Sequence, residues 1–388
     1  MTRGPMNRAL TGFTSTIFAE MSALATRTGS INLGQGFPDF DGPPGMLKRA
    51  QRAIADGVNQ YPPGPGSAEL REAIASHQLR FYGIDIDPDT QVLVTAGATE
   101  GIAAAMLGLL EPGDEVVMLE PYYDSYAATV ALAGGIRRTV CLDPPDFRLP
   151  REALAAAISP RTRLVLLNSP HNPTGMVLSR DELAYIAELA VRHDLMVVTD
   201  EVYEHLTFDA VPHLPLCTLP GMADRTLTIS SAGKTFSVTG WKIGWVSGPA
   251  DLVAAVRAAK QFLTYVNGAP FQPAVAQALA LPDNYFDDFR HALEGKRDRL
   301  LDGLAAAGFA AFRPSGTYFV VADSTSVGFT DGYELCRALP ELCGVVAVPM
   351  SVFYDDPADG RNLVRFAFCK RDEVLDEGIR RLQRLQRG

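Results

Sequence analysis

The residue that carries most information in this chain is a lysine set against an apolar run. From Thr226 to Gly244 the sequence reads TLTISSAGKTFSVTGWKIG, in which a strand-forming segment delivers Ser231 and Lys234 into a glycine-containing loop. A solvated surface charge is the plain reading of most lysines; here the apolar residues before it and Trp241 after it predict an enclosed position. Enclosure disfavours the ammonium form and leaves a neutral amine able to attack an aldehyde. The GKT at Gly233–Thr235 also invites a reading as a nucleotide phosphate loop, which fails on spacing. That motif needs a glycine where Thr228 stands.

Other segments offer groups that such an amine would need. Leu195–Tyr203 reads LMVVTDEVY, so Asp200 closes an apolar run and Tyr203 follows within the same loop. Asp200 has two readings: the cap of a following helix, or a partly buried carboxylate that keeps a pyridine nitrogen protonated so that the ring draws electrons from a carbanion. Tyr203 would then donate to the phenolate oxygen of that ring. The run Leu164–Leu167 leads into NSPHNPTG, Asn168–Gly175, a rigid turn in which the amide of Asn172 can orient the same ring, with His171 as a turn residue.

Thr95–Thr99, TAGAT, opens an alanine-rich helix from Thr99 to Leu110, and backbone amides at a helix start bind phosphate. A plain strand-to-helix turn is the alternative. Ser231 and Lys242 add a hydroxyl and a counter-charge if the loops converge. Glu120–Tyr126, EPYYDSY, supplies rings for stacking or for core filling. Arg365, inside LVRFAF (Leu363–Phe368), lies in an apolar strand where an unpaired guanidinium is costly. A substrate carboxylate held bidentately would satisfy it, as would a structural Asp or Glu.

These groups need a scaffold that brings strand ends together. Between Gln91 and Gly248 short apolar runs alternate with helical patterns, which predicts a mainly parallel sheet with crossover helices and ligands at the carboxyl ends of its strands. The candidate strands are Val92–Thr95, Glu115–Leu119, Arg138–Leu142, Leu164–Leu167, Met196–Thr199, Thr226–Ile229 and Ile243–Val246. Helices are expected at Asp251–Leu263, Pro273–Leu279 and Phe286–Ala307, followed by a strand-rich tail around Tyr318–Ala322, Val345–Val348 and Val364–Phe368 that reads as a smaller lobe. The segment before Gly34 reads as an arm with a short helix.

Composition bounds the rest. A chain of 388 residues exceeds one hydrophobic core, so a large and a small domain are expected. The net charge of −10 argues against a nucleic-acid surface. Five scattered cysteines without CxxC or Cys/His clustering point to reduced thiols and no metal site. No signal-peptide pattern and no membrane-spanning apolar run is seen, so a cytoplasmic enzyme that makes no membrane contact is expected.

Taken in order, NPTG, DEVY, SxxK with a further lysine at Lys242, and a C-terminal arginine in a strand resemble the class I/II aminotransferases of the aspartate aminotransferase superfamily, over essentially the whole chain. NLGQGFPDF (Asn32–Phe40) and NQYPPGPG (Asn59–Gly66) are similar to the branch of kynurenine and glutamine transaminases. VNQYPPGPGS and SPHNPTG are similar in particular to actinobacterial N-succinyldiaminopimelate aminotransferases. The resemblance implies an α/β fold of type I with a seven-stranded, mainly parallel sheet in a large domain (46–280), a smaller α+β domain (281–388) and an arm (1–45) packing with the latter. It implies pyridoxal 5'-phosphate held as a Schiff base by Lys234, which also serves as general base, with Asp200 on the pyridine nitrogen and Asn172 and Tyr203 on the ring oxygen. Tyr123 would stack on the ring. The phosphate would rest on Ala98, Thr99, Ser231 and Lys242, and on Tyr61 from a second subunit, which implies a homodimer. Arg365, with Gly36 and Asn172, would grip the α-carboxylate.

The implied reaction moves an amino group from an L-amino acid, N-succinyl-LL-diaminopimelate among the candidates, to an oxo acid such as 2-oxoglutarate by a ping-pong route. Kynurenine, glutamine or methionine transamination and β-elimination from cysteine conjugates are the competing chemistries, and a cofactor-sensing regulator domain is a remote one. Thr99 and Asn267 stand where kynurenine-type relatives usually carry aromatic residues, which implies a more open, polar pocket. Phe353 and Tyr354 would line its entrance, and Phe13 and Phe18 would close over the ligand.

Overall fold

The computed structural model describes residues 6–13 and 16–387. Its strands in chain order are β1 (Ile31–Asn32), β2 (Val92–Thr95), β3 (Glu115–Glu120), β4 (Ile136–Cys141), β5 (Thr162–Asn168), β6 (Met196–Asp200), β7 (Thr226–Ser231), β8 (Gly244–Ser247), β9 (Ala310–Phe312), β10 (Phe319–Asp323), β11 (Val345–Val346), β12 (Val348–Pro349) and β13 (Leu363–Ala367). Seven of them form one sheet in the order β2-β8-β7-β6-β5-β3-β4. All its pairings are parallel except the two made by β8, which runs against β2 and β7. The reversal brings Gly244, the first residue of β8, level with Thr95 and Ser231 at the sheet edge where the parallel strands end.

Apart from the edge strand β4, the strands of this sheet are buried on both faces. In β5, Leu164 and Leu166 join a core with the helix Gly97–Leu109, whereas Val165 and Leu167 point to the opposite side. In β2, Leu93 joins the first core and Val92 and Val94 meet the helices Pro44–Ala55, Ala68–Tyr82 and Gln272–Leu279. Such two-sided burial is what crossover connections impose. Local signals agree with the helix ends: Ser179 and Glu182 form a reciprocal capping box at Arg180–Arg192, and Ala68–Tyr82 runs from the Ser67 cap to Gly83 in the left-handed region.

A four-stranded antiparallel sheet, β12-β13-β10-β9, follows in the chain. The helix Asp283–Ala306 packs on its β9 and β10, and Asp372–Leu382 packs on that helix. The N-terminal helix Ile17–Thr28 packs on Gly332–Leu342, and β1 pairs with β11, so the chain's start is stitched to its end. Among the described residues no helix is long and apolar enough to cross a membrane.

Three expectations about local structure need correction. Lys234 lies in a one-turn helix, Ala232–Thr235, rather than in a loop. The helix after TAGAT begins at Gly97, whose φ of 73° carries the chain out of β2 at a sharp angle. Phe353 and Tyr354 are core residues: Phe353 is fully buried and packs on Phe18, because the segment after β12 folds inward.

Candidate active site

The carboxyl ends of β2, β5, β6 and β7 open on a cavity of about 250 Å³. Lys234 lines it from the turn after β7. Its Nζ donates to the Tyr318 hydroxyl at 3.0 Å and to the Gly36 carbonyl at 3.4 Å. Burial pushes its pKa down to about 8, with Asp200 and Cys369 opposing that shift only in part. The side chain is therefore close to balance between ammonium and amine.

Asp200 ends β6 and is 5% exposed. Its carboxylate accepts from the Tyr126 hydroxyl at 2.6 Å and from the Val202 amide at 3.3 Å, and caps no helix. Burial nevertheless raises its pKa to about 6, so the site favours a cation beside it. Next to it Asn168 binds the Asp200 carbonyl through Nδ2 at 2.8 Å and accepts the Asn172 amide at 2.7 Å, which fixes the turn that presents Asn172. Tyr203 is buried against Tyr318 with ring centroids 5.2 Å apart, and burial raises the pKa of its hydroxyl.

On the opposite wall Arg365, from the middle of β13, is 1% exposed. Its Nη1 donates to Asn172 Oδ1 at 2.8 Å and its Nη2 to the Gly34 carbonyl at 3.3 Å, while its Nε has no partner. No Asp or Glu pairs with it among the described residues, and its guanidinium stacks 3.9 Å from the Phe319 ring centroid. A buried cation that lines a cavity and has no carboxylate partner among the described residues is a receptor for a carboxylate. Gly36 passes so close to Phe319 that a Cβ there would lie 2.6 Å from its ring, so the backbone of Gly36 can form the wall only as glycine.

The third corner is suited to an anion. Ala98 and Thr99 lie in the first turn of Gly97–Leu109 and line the cavity with Ser231, whose side chain makes no cap bond. Lys242 Nζ reaches the same turn, 3.2 Å from where a Cβ on Gly97 would stand. Helix-start amides, a free hydroxyl and an ammonium make a phosphate cradle. Tyr123 lines the cavity between this corner and Asp200, edge-on to Tyr126 at 5.8 Å.

Thus every residue singled out from the sequence as catalytic, cofactor-binding or substrate-binding lines this cavity, except Tyr61. Tyr61 is 81% exposed and stands against Tyr265, outside the cleft. Phe18 lines the cavity, whereas Phe13 packs on the helix side of the large sheet. Asn267 is not a pocket residue: its Nδ2 ties the Thr95 and Lys242 carbonyls together at 3.0 and 3.1 Å. Two residues went unnoticed in the sequence. Tyr126 ends the EPYYDSY run and gives a hint, but Tyr318, which holds the Lys234 amine, comes from a distant segment with no local signature.

The cavity thus asks for a cation beside Asp200, one anion at the helix start and another at Arg365, and an electrophile at Lys234. Pyridoxal phosphate with an amino acid fits those four demands by the chemistry of the donor set.

A family model described as aminotransferase class I and II matches residues 28–382. The chain is 60% identical over 381 residues to the probable N-succinyldiaminopimelate aminotransferase DapC of Mycobacterium tuberculosis, with 95% of this chain and 96% of the relative covered. It is 42% identical over 375 residues to the methionine aminotransferase of Escherichia coli, with 96% of each covered. Among solved structures, that of N-succinyldiaminopimelate aminotransferase from Mycobacterium tuberculosis superposes with a TM-score of 0.96 at 60% identity, covering 98% of this chain and 100% of the other.

Proposed function

We propose, from the premise that this chain belongs to the aminotransferase class I and II family, pyridoxal-phosphate-dependent enzymes of fold type I, that its amino donor is N-succinyl-LL-diaminopimelate and its acceptor an oxo acid such as 2-oxoglutarate. The 60% identity to a relative so named, over nearly the full length of both chains, supports this donor. One observation carries the general chemistry: a buried arginine without a carboxylate partner among the described residues stands across a small cavity from a buried lysine whose pKa is lowered to about 8.

When bound, the cofactor supplies an aldehyde that condenses with amines and a pyridinium ring that accepts electron density. The residues do the rest. Lys234 Nζ would hold the cofactor at rest and, when free, would take the proton from the donor's Cα. Asp200 keeps the ring nitrogen protonated, and its own raised pKa falls when that cation is beside it. Asn172 and Tyr203 address the ring oxygen, and Tyr123 stacks on the ring. Ala98, Thr99, Ser231 and Lys242 hold the phosphate. Arg365, with Gly36 and Asn172, orients the donor's α-carboxylate so that its Cα faces the lysine.

The same reading divides the chain into an arm at 1–45, a large domain at 46–280 and a small one at 281–388. It also makes the enzyme a cytoplasmic homodimer, in which Tyr61 of one copy meets the cofactor phosphate of the other; the exposure of Tyr61 on this chain supports that role. A second reading, a methionine-type transaminase, is favoured by the 42% identical relative.

The test is a half-reaction without acceptor, in which absorbance follows conversion of the cofactor to its amine form. N-succinyl-LL-diaminopimelate should convert it with a kcat/KM at least about tenfold above methionine, kynurenine or glutamine, a discrimination within reach of pocket contacts. Faster conversion by methionine would select the second reading, and no conversion by any donor would remove transamination. In the same assay Arg365→Met should cost on the order of 100-fold in kcat/KM through lost carboxylate binding. Its apoprotein should melt no lower than wild type, because an unpaired buried charge is removed.

A further inference from the structure

Away from the cleft, His77, Glu204 and His205 bring one ligand atom each to within 4.8 Å of one another. His77 comes from the helix Ala68–Tyr82, whereas Glu204 and His205 belong to the segment that follows β6 and carries Tyr203. The two imidazoles meet Nε2 to Nε2 at 2.8 Å, so with neutral rings one must donate and the other accept. The remaining nitrogen of His77, Nδ1, is buried without a partner. Burial holds both rings in the neutral form, which keeps a nitrogen lone pair available.

Glu204 is 4% exposed and makes no ion pair with lysine or arginine among the described residues. Its Oε1 accepts from the Ser230 hydroxyl at 2.6 Å, and the nearby His213 is already engaged with Glu201 at 2.7 Å. The Tyr82 hydroxyl meets the same carboxyl, so two imidazoles and a carboxyl group, the ligand types that zinc takes, converge in one buried spot.

We propose that His77 Nε2, His205 Nε2 and a carboxylate oxygen of Glu204 bind one divalent transition-metal ion, zinc being the best match to this nitrogen and oxygen set. Two nitrogens at about 2.0–2.1 Å from a tetrahedral ion stand roughly 3.3 Å apart, so the imidazoles, now 2.8 Å apart, must separate and tilt toward a common point. The three ligands leave a fourth position open, and Glu204 and His205 also line a cleft of about 440 Å³ together with Asp209, Asp287, Arg290 and Glu294. Its Asp209, Asp287 and Glu294 are paired with Arg297, Arg313 and Arg290, and the cleft gives the ion a way in. Phe81 and Phe286 pack on the His205 ring at 4.8 and 4.4 Å and form an apolar shell around the site.

On binding, the shared N–H···N proton moves to the other nitrogen of its own ring, and a protonated Glu204 releases one proton to solvent. The ion ties the helix Ala68–Tyr82 to the segment carrying Asp200 and Tyr203. It stiffens the cofactor side of the cleft without touching the reacting atoms.

The experiment uses untagged holoenzyme, freed of metal by a chelator and titrated with Co²⁺, whose ligand-field bands lie apart from the cofactor absorbance. One Co²⁺ per chain, displaced by Zn²⁺ and accompanied by a rise in melting temperature, is expected. His205→Phe, which keeps the aromatic packing, and Glu204→Gln should each weaken uptake at least about 100-fold and abolish the thermal gain, with folding checked by circular dichroism. Should either fail to fold, His77→Gln takes its place. Absence of saturable uptake below about 1 mM, which would be too weak for a built three-ligand site, overturns the proposal. Bands and thermal gain that persist in the folded variants overturn it equally.

Discussion

Lys234 works as an amine because burial, reinforced by the nearby Arg365 and Lys242 charges, outweighs the help it receives from Cys369 and Asp200. The sign of the shift sets a pH profile for the apoprotein. A lowered pKa means that the neutral amine appears at lower pH than in a free lysine. Covalent capture of pyridoxal phosphate should therefore speed up about tenfold per pH unit from pH 6 and level off near pH 8. A rate still climbing at pH 10, followed by stopped-flow absorbance, would mean an ordinary exposed lysine. At this scale the sequence was legible where a strand end and a motif coincide, as at Asp200, Asn172 and Lys234. It gave only a hint of Tyr126 and was silent on Tyr318, because the bonds they make to Asp200 and Lys234 join segments far apart in the chain.

The elements matter through where they stop. β8 runs against its neighbours, and Gly244 at its start touches the first turn of Gly97–Leu109: a Cβ there would stand 2.6 Å from the Gly97 carbonyl carbon and 2.8 Å from the Ala98 nitrogen. That closeness aims the helix-start amides and Lys242 at one point. Gly244→Ala should push the turn away, costing about 1–3 kcal/mol of stability. It should also raise the dissociation constant for the cofactor at least about tenfold, through misplaced helix-start amides. Calorimetry and equilibrium dialysis measure the two; an unchanged affinity would show that the amides do not hold the phosphate. The inner strands of the large sheet were readable as apolar runs because both faces are buried, whereas the edge strand β4 carries Arg137 and Arg138. The one-turn helix at Lys234 was not, since a single turn leaves no periodicity to read.

At the scale of the whole molecule, two sheets and an N-terminal segment stitched to the C-terminal one enclose a cleft that no single stretch of sequence describes. Tyr61 and Phe262 lie outside it at 81% and 84% exposure, apolar surface that a second copy would cover. Sedimentation should accordingly give twice the 41.8 kDa chain mass. Tyr61→Phe should leave that mass intact while loosening the cofactor, since only the hydroxyl that meets the phosphate is lost. A monomer that retains its cofactor fully would refute the shared site. All of these outcomes depend on one amine at the end of β7 bearing an aldehyde cofactor, and reduction by borohydride tests this most directly. Holoenzyme treated in this way, digested and read by mass spectrometry should carry the reduced pyridoxyl group on Lys234. A label on Lys242 or another lysine, or no label at all, would contradict the account.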